Sequence, residues 1–302
     1  MPHPSRRSIH RTGRVAALAT ALALGVTLLA QTPIAAEKKP AARPDSDEVR
    51  VTERIWKLLA VRKGEDESRD LYLNLLKLSL TDLLYEDELE ARAKRISGDD
   101  WPSRAYTMTG LRRLNNLQTC VEDVIANDVP GDLIEAGAWR GGATILMRGI
   151  LRAYGVTDRT VWVADSFEGM PKPDLETYPH ELQLDLSNQE YLAVSQEKVE
   201  NNFRRYGLLD GQVRFLKGWF KDSLPDAPIE KLAVLRLDAD LYESTSQALE
   251  YLYPKLQSGG CLIVDDYFIK ACRRAVHDYR RENGITEKIV RIDHKAVYWK
   301  KR

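Results

Sequence analysis

The stretch Leu133-Ile134-Glu135-Ala136-Gly137-Ala138-Trp139-Arg140-Gly141-Gly142 decides the fold. A short apolar run ends in an acid, and three glycines follow within six residues. Glycines directly after a strand let backbone approach a ligand closely, and they open the next helix. The spacing is G-x-x-x-G-G, whereas a dinucleotide pyrophosphate calls for G-x-G-x-x-G. That difference disfavours a dehydrogenase.

Downstream, short apolar runs at 132–135, 160–164, 213–216, 232–237 and 261–264 read as buried strands. Helical periodicity fills the intervals around 143–154, 189–206 and 244–256. Strands alternating with helices predict a parallel sheet covered on both faces. After a helix near 270–283, the segments 287–292 and 296–300 read as a closing hairpin around Asp293-His294-Lys295. Upstream, a helix over 110–127 turns Leu111, Leu114, Leu117, Val121 and Val124 inward, and Asp128-Val129-Pro130-Gly131 stops it. An earlier helix carries two leucine stripes, Leu71/Leu75/Leu78 and Leu73/Leu76/Leu80/Leu84. Two apolar faces predict burial between elements or between subunits. The expected architecture is α/β: a Rossmann-like doubly wound sheet, mostly parallel, with a C-terminal antiparallel hairpin and added N-terminal helices.

With 43% hydrophobic and 30% charged residues, a packed core is available and wholesale disorder is excluded. The formal net charge is zero with no basic stripe, so nothing in the charge pattern favours a nucleic-acid partner. Cys120, Cys261 and Cys272 are odd in number and lack CxxC spacing, which argues against a disulfide framework or a zinc site.

Residues 1–36 have a different character. Arg6, Arg7, Arg11 and Arg14 precede an uncharged apolar stretch over 15–30, followed by Pro33 and Ile34-Ala35-Ala36. This is the pattern of a secretory leader, and Ser5-Arg6-Arg7-Ser8-Ile9 resembles a twin-arginine signal. The apolar run is short for a spanning helix, but 15–36 would suffice for an anchor with membrane contact. A start codon placed too early and an amphipathic tail are the competing readings; no polar face is visible for the latter. Without the leader, 41 basic residues stand against 45 acidic ones. Residues 37–66 read as a charged, proline-bearing linker and a short helix, and 67–302 as the main folded domain.

Ligands of doubly wound sheets bind at the carboxyl ends of the strands, near the switch in strand order. Asp165 ends the second strand, 28 residues after Gly137, where an acid can accept hydrogen bonds from ribose hydroxyls. An N-cap is the competing role for that aspartate. Together these junctions fit a nucleoside-containing ligand without a pyrophosphate, as S-adenosylmethionine is. The fourth and fifth strands end in Asp238-Ala239-Asp240 and Asp265-Asp266. Four carboxylates at neighbouring tips repel one another unless protons or a cation neutralise them, and oxygen-only ligands suit Mg²⁺.

Six ordered blocks carry a family resemblance. They are Met108-Thr109-Gly110-Leu111-Arg112-Arg113-Leu114, Leu133-Ile134-Glu135-Ala136-Gly137, Ala164-Asp165-Ser166-Phe167-Glu168-Gly169-Met170-Pro171, Gly218-Trp219-Phe220, Leu235-Arg236-Leu237-Asp238-Ala239-Asp240-Leu241-Tyr242-Glu243-Ser244-Thr245 and Val264-Asp265-Asp266-Tyr267. Over roughly residues 70–301 the chain resembles the macrocin O-methyltransferases (TylF/MycF type). The resemblance implies a class I methyltransferase fold, a homo-oligomer, and Mg²⁺-assisted methylation of a sugar-type hydroxyl on a small-molecule glycoside. It implies Mg²⁺ on Asp238, Asp265 and Asp266, with Asp240 as general base. Glu135, Gly137, Asp165 and Ser166 would contact S-adenosylmethionine, with Trp219 and Phe220 near the adenine. Thr109 and Leu111 would close over the cofactor. Residues 173–188 correspond to the family's mobile acceptor lid, in which His180 reads as a surface histidine.

The leader points to export or anchoring, whereas relatives of this type work in the cytoplasm, where S-adenosylmethionine is made. The alternative reading is a catalytically silent or differently acting envelope protein on the same scaffold. Hydroxylase-associated proteins of β-lactam pathways look similar at this level. A silent scaffold has no need to keep four mutually repelling acids.

Overall fold

The structure is a computed structural model that describes residues 46–59, 66–86, 88–178 and 185–302. The leader and His180 lie outside the described residues. Among the described residues no helix is long and apolar enough to cross a membrane.

Seven strands form one sheet: β1 (Asp132–Ala136), β2 (Val161–Asp165), β3 (Val213–Lys217), β4 (Leu232–Leu237), β5 (Leu256–Val264), β6 (Val290–Arg291) and β7 (Val297–Lys300). Their order is β3-β2-β1-β4-β5-β7-β6. The first five are parallel, and β7 runs antiparallel to both β5 and β6. The central strands are buried on both sides because their sequences are apolar throughout; β4, Leu-Ala-Val-Leu-Arg-Leu, is buried at every position. Successive residues point to opposite faces. Leu133 therefore joins the core under α4 (Leu111–Ala126) and α5 (Gly142–Ala153). Ile134 joins the core under α8 (Tyr242–Leu252) and α9 (Lys270–Glu282). The helix α6 (Gln196–Arg205) covers the first face at the β3 end, through Val199 and Phe203. The switch in strand order falls between β1 and β4, which places the ligand-binding crevice above their carboxyl ends.

The expected helix over 189–206 resolves into a short 3₁₀ turn, Glu190–Leu192, and α6, whose N-cap Ser195 accepts a hydrogen bond from the Lys198 N–H. Serine at an N-cap starts the helix later than its apolar pattern suggests.

Three N-terminal helices, α1 (Ser46–Leu59), α2 (Glu67–Leu80) and α3 (Leu89–Ser97), pack a smaller core of Ile55, Leu59, Leu78, Leu83, Ile96 and Leu111. On α2 the two leucine stripes part company. Leu73, Leu76 and Leu80 enter the sheet core, whereas Leu71 and Leu75 are 63% and 52% exposed. Leu84 lies beyond the helix end, in the turn that Thr81 begins.

Candidate functional site

Gly137 ends β1 at φ +93°, and a Cβ there would collide with the backbone carbonyl of Asp238 at the end of β4. The two strand tips therefore touch through backbone alone, and the crevice divides around them. One cavity, about 330 Å³, lies on the β2–β3 side and is lined by Gly137, Asp165, Ser166, Trp219, Phe220 and Asp238 among others. The second, about 230 Å³, lies over the acids and is lined by Glu135, Asp238, Asp240, Asp265 and Asp266 together with Trp101, Trp139, Phe268 and Lys295.

Asp165 reaches both cavities, but its oxygens are already engaged. Oδ2 accepts from the N–H groups of Ala138 (2.8 Å) and Trp139 (3.0 Å), and Oδ1 accepts from that of Phe167 (2.8 Å). Trp139 and Phe167 have φ of +48° and +58°, conformations that non-glycine residues hold only under constraint. Asp165 thus braces the glycine loop and the turn after β2. Burial raises its pKa, and the three N–H groups work against that rise. The Ser166 hydroxyl donates to the Gly169 carbonyl at 2.8 Å and so shapes the same turn.

The acid cluster is not bare. Arg236, an interior residue of β4, is 2% exposed and reaches four partners: Glu135, Asp238 (2.8 Å), Asp265 (2.7 Å) and the Thr109 hydroxyl (2.8 Å). Arg113 on α4 is buried and pairs with Asp265 and, at 3.2 Å, with Asp293. Burial would raise Asp265, but Arg113 and Arg236 overcome it and hold that carboxyl below its usual range. The other acids go the opposite way. Burial, reinforced by Asp238 and Asp265, pushes Asp240 up to about 7. Burial lifts Asp266 well above the carboxylate range, with Asp240 and Asp238 adding to the effect. Burial also pushes Glu135 up to about 8 despite the guanidinium beside it.

Asp238, Asp265 and Asp266 each offer an oxygen within 4.8 Å of the others, which is compatible with one cation. Oδ1 of Asp265 is buried without a hydrogen bond: Arg236 is near it, but poorly aligned. An open lone pair of this kind fits a metal ligand.

Thr109 and Leu111 lie behind the linings of these two cavities; Thr107 and Met108 form that wall of the second. The Thr109 hydroxyl is turned to Arg236, and the Leu111 side chain is fully buried among the N-terminal helices. Arg236 and Arg113 join the site although neither lies at a strand tip. Both carry a signal in the sequence: Arg236 interrupts an apolar strand, and Arg113 shares the inward face of α4 with Leu117.

A parallel sheet closed by a reversed β7, a glycine loop on β1 and a brace at the tip of β2 define a class I, S-adenosylmethionine-type methyltransferase. The chain belongs to the macrocin O-methyltransferase (TylF) family, whose model matches residues 52–301. It is 55% identical over 246 residues to the 8-demethyl-8-(2,3-dimethoxy-alpha-L-rhamnosyl)-tetracenomycin-C 4'-O-methyltransferase of Streptomyces olivaceus, covering 78% of this chain and 94% of the relative. The mycinamicin III 3''-O-methyltransferase of Micromonospora griseorubida is 50% identical over 245 residues, 77% of this chain and 96% of that protein. The solved structure of the O-methyltransferase NovP superposes with a TM-score of 0.75 at 53% identity, covering 77% of this chain and 99% of its own. The protein is an O-methyltransferase.

Proposed function

We propose that the protein transfers the methyl group of S-adenosylmethionine to a sugar hydroxyl of a natural-product glycoside, with Mg²⁺ assisting. The observation that carries this reading is the pair of cavities meeting at Gly137 and Asp238, one over the glycine loop and one over the acids. The named activities of the relatives, on tetracenomycin and mycinamicin glycosides, supply the acceptor class.

The first cavity would hold S-adenosylmethionine, with Trp219 and Phe220 available to its adenine and the loop at Gly137 available to the rest of the molecule. The acceptor hydroxyl enters the second cavity, where Asp240 takes its proton. The oxygen attacks the methyl carbon in line, a C–O bond forms, and the C–S electron pair leaves with sulfur as S-adenosylhomocysteine. A carboxylate titrating near 7 is matched to this task, and alignment of the two substrates supplies much of the remaining rate. Mg²⁺, held by Asp238, Asp265 and Asp266, supplies Lewis acidity that makes the hydroxyl easier to deprotonate. The exposed leucines on α2, with Tyr72 beside them, support a homo-oligomer.

Calorimetric titration of S-adenosylmethionine into the full chain, with and without Mg²⁺, tests the reading. Micromolar binding upholds it, and no binding in either condition overturns it.

A further inference from the structure

We infer that the protein carries a second binding site, for a phosphate-bearing small molecule, in a cavity that adjoins the methyl-transfer crevice but is lined by a different set of residues. The cavity is about 430 Å³ and lies between α1, the start of α4 and the β6–β7 hairpin. Arg54, Arg112, Arg291 and His294 line it, with Ile96 and Ile292 as its apolar part. Three guanidinium groups thus converge from three separate elements.

Little nearby offsets their charge. Arg54 and Arg112 are exposed, and neither side chain makes an ion pair or hydrogen bond among the described residues. Arg291 spends only its Nε, on the Asp293 carbonyl at 2.6 Å. The carboxylate in the lining, Asp293, is taken by Arg113 at 3.2 Å and by the N–H groups of Lys295 (2.8 Å) and Ala296 (2.9 Å). His294 meets Asp99 at 2.8 Å, and Lys295 shares that carboxylate at 3.0 Å. A concave surface with like charges focuses its field on an anion. The planar fork of arginine pairs with phosphate oxygens two at a time, and three such cations suit the higher charge and extra oxygens of a phosphate better than one carboxylate. The volume exceeds the need of a single phosphate, so the ligand is a diphosphate or a phosphate ester whose organic part rests on Ile292.

The test is calorimetric titration of inorganic pyrophosphate into the full chain, in EDTA so that no metal bridges it to the aspartates. The expected result is saturable one-to-one binding, weakened at least tenfold in the Arg54→Ala/Arg112→Ala variant. Affinity for S-adenosylmethionine should stay within twofold of the parent. Both arginines are solvent-exposed, and Arg291→Ala gives a second, independent variant. Vesicles containing phosphatidic acid separate two sources of the phosphate. Retention that pyrophosphate displaces assigns a lipid headgroup to this site, and pyrophosphate binding without retention assigns a soluble ligand. Absence of saturable binding, or an isotherm unchanged in both variants, overturns the proposal.

Discussion

Glu135 and Arg236 are register partners on adjacent parallel strands, and their side chains meet, both about 2% exposed, beneath the strand-tip aspartates. This guanidinium is a permanent cation under acids that would otherwise repel one another. Burial, with Asp238 and Asp265 adding to it while they draw on the same guanidinium, pushes Glu135 up to about 8 and favours its protonated form at neutral pH.

Arg236→Met should destabilise the protein by about 3–5 kcal/mol, because it strips a buried network of its cation. Glu135→Gln should cost about 1.5 kcal/mol or less, since glutamine resembles the protonated acid already present. Urea unfolding of both variants decides the matter. Equal losses would mean that Glu135 is ionised.

Turnover should rise with pH through a limb near 7, because Asp240 must lose its proton to act as base. Added Mg²⁺ should move that limb to lower pH, since cation binding favours the ionised carboxylates around it. Asp240→Asn should lower kcat by about 10²–10⁴-fold while S-adenosylmethionine still binds. A variant with near-parental turnover would remove Asp240 from the chemistry.

Asp165→Ala should weaken S-adenosylmethionine binding at least tenfold. The loss would come from a slack glycine loop, since three N–H groups lose their acceptor at once. A stability loss of about 2 kcal/mol should accompany it. Weakened binding with unchanged stability would instead favour direct contact between Asp165 and the ribose.

Much of this was legible in the sequence because strand tips carry the chemistry, and strands buried on both faces announce themselves as apolar runs. The four aspartates and Gly137 fell where the alternation placed them. The roles within the cluster were less legible, since they depend on neighbours brought in from far along the chain. Arg113 meets Asp265 across 152 residues, and Thr109 meets Arg236 across 127. Asp165 shows the same limit. Its position at the tip of β2 was readable, but the occupation of its oxygens by Trp139 and Phe167 N–H groups depends on two left-handed backbone turns that no periodicity reveals.

Stability should also report on Asp210, whose carboxylate receives Arg148 at 3.0 and 2.5 Å. That hydrogen bond from Arg148 holds its pKa below the usual value. The stabilisation is therefore fully present above the unfolded value of about 3.9 and fades as pH falls through the lower folded value. Asp210→Asn should cost about 1 kcal/mol at pH 7, a modest figure because Asp210 is 35% exposed and water screens the pair. Repeating the urea titration below pH 4 should show the gap between variant and parent narrowing. A gap independent of pH would mean that the carboxylate charge contributes nothing.

The contact between Gly137 and the Asp238 backbone leaves no slack between the two halves of the crevice. Whatever settles the glycine loop also moves the strand end that carries the first acid of the cluster. Donor and cation should therefore bind with a shared free energy, and each must alter the other's affinity by the same factor. On the proposed function, a methyl donor docking on one side of this contact would tune the grip of the other side on the cation.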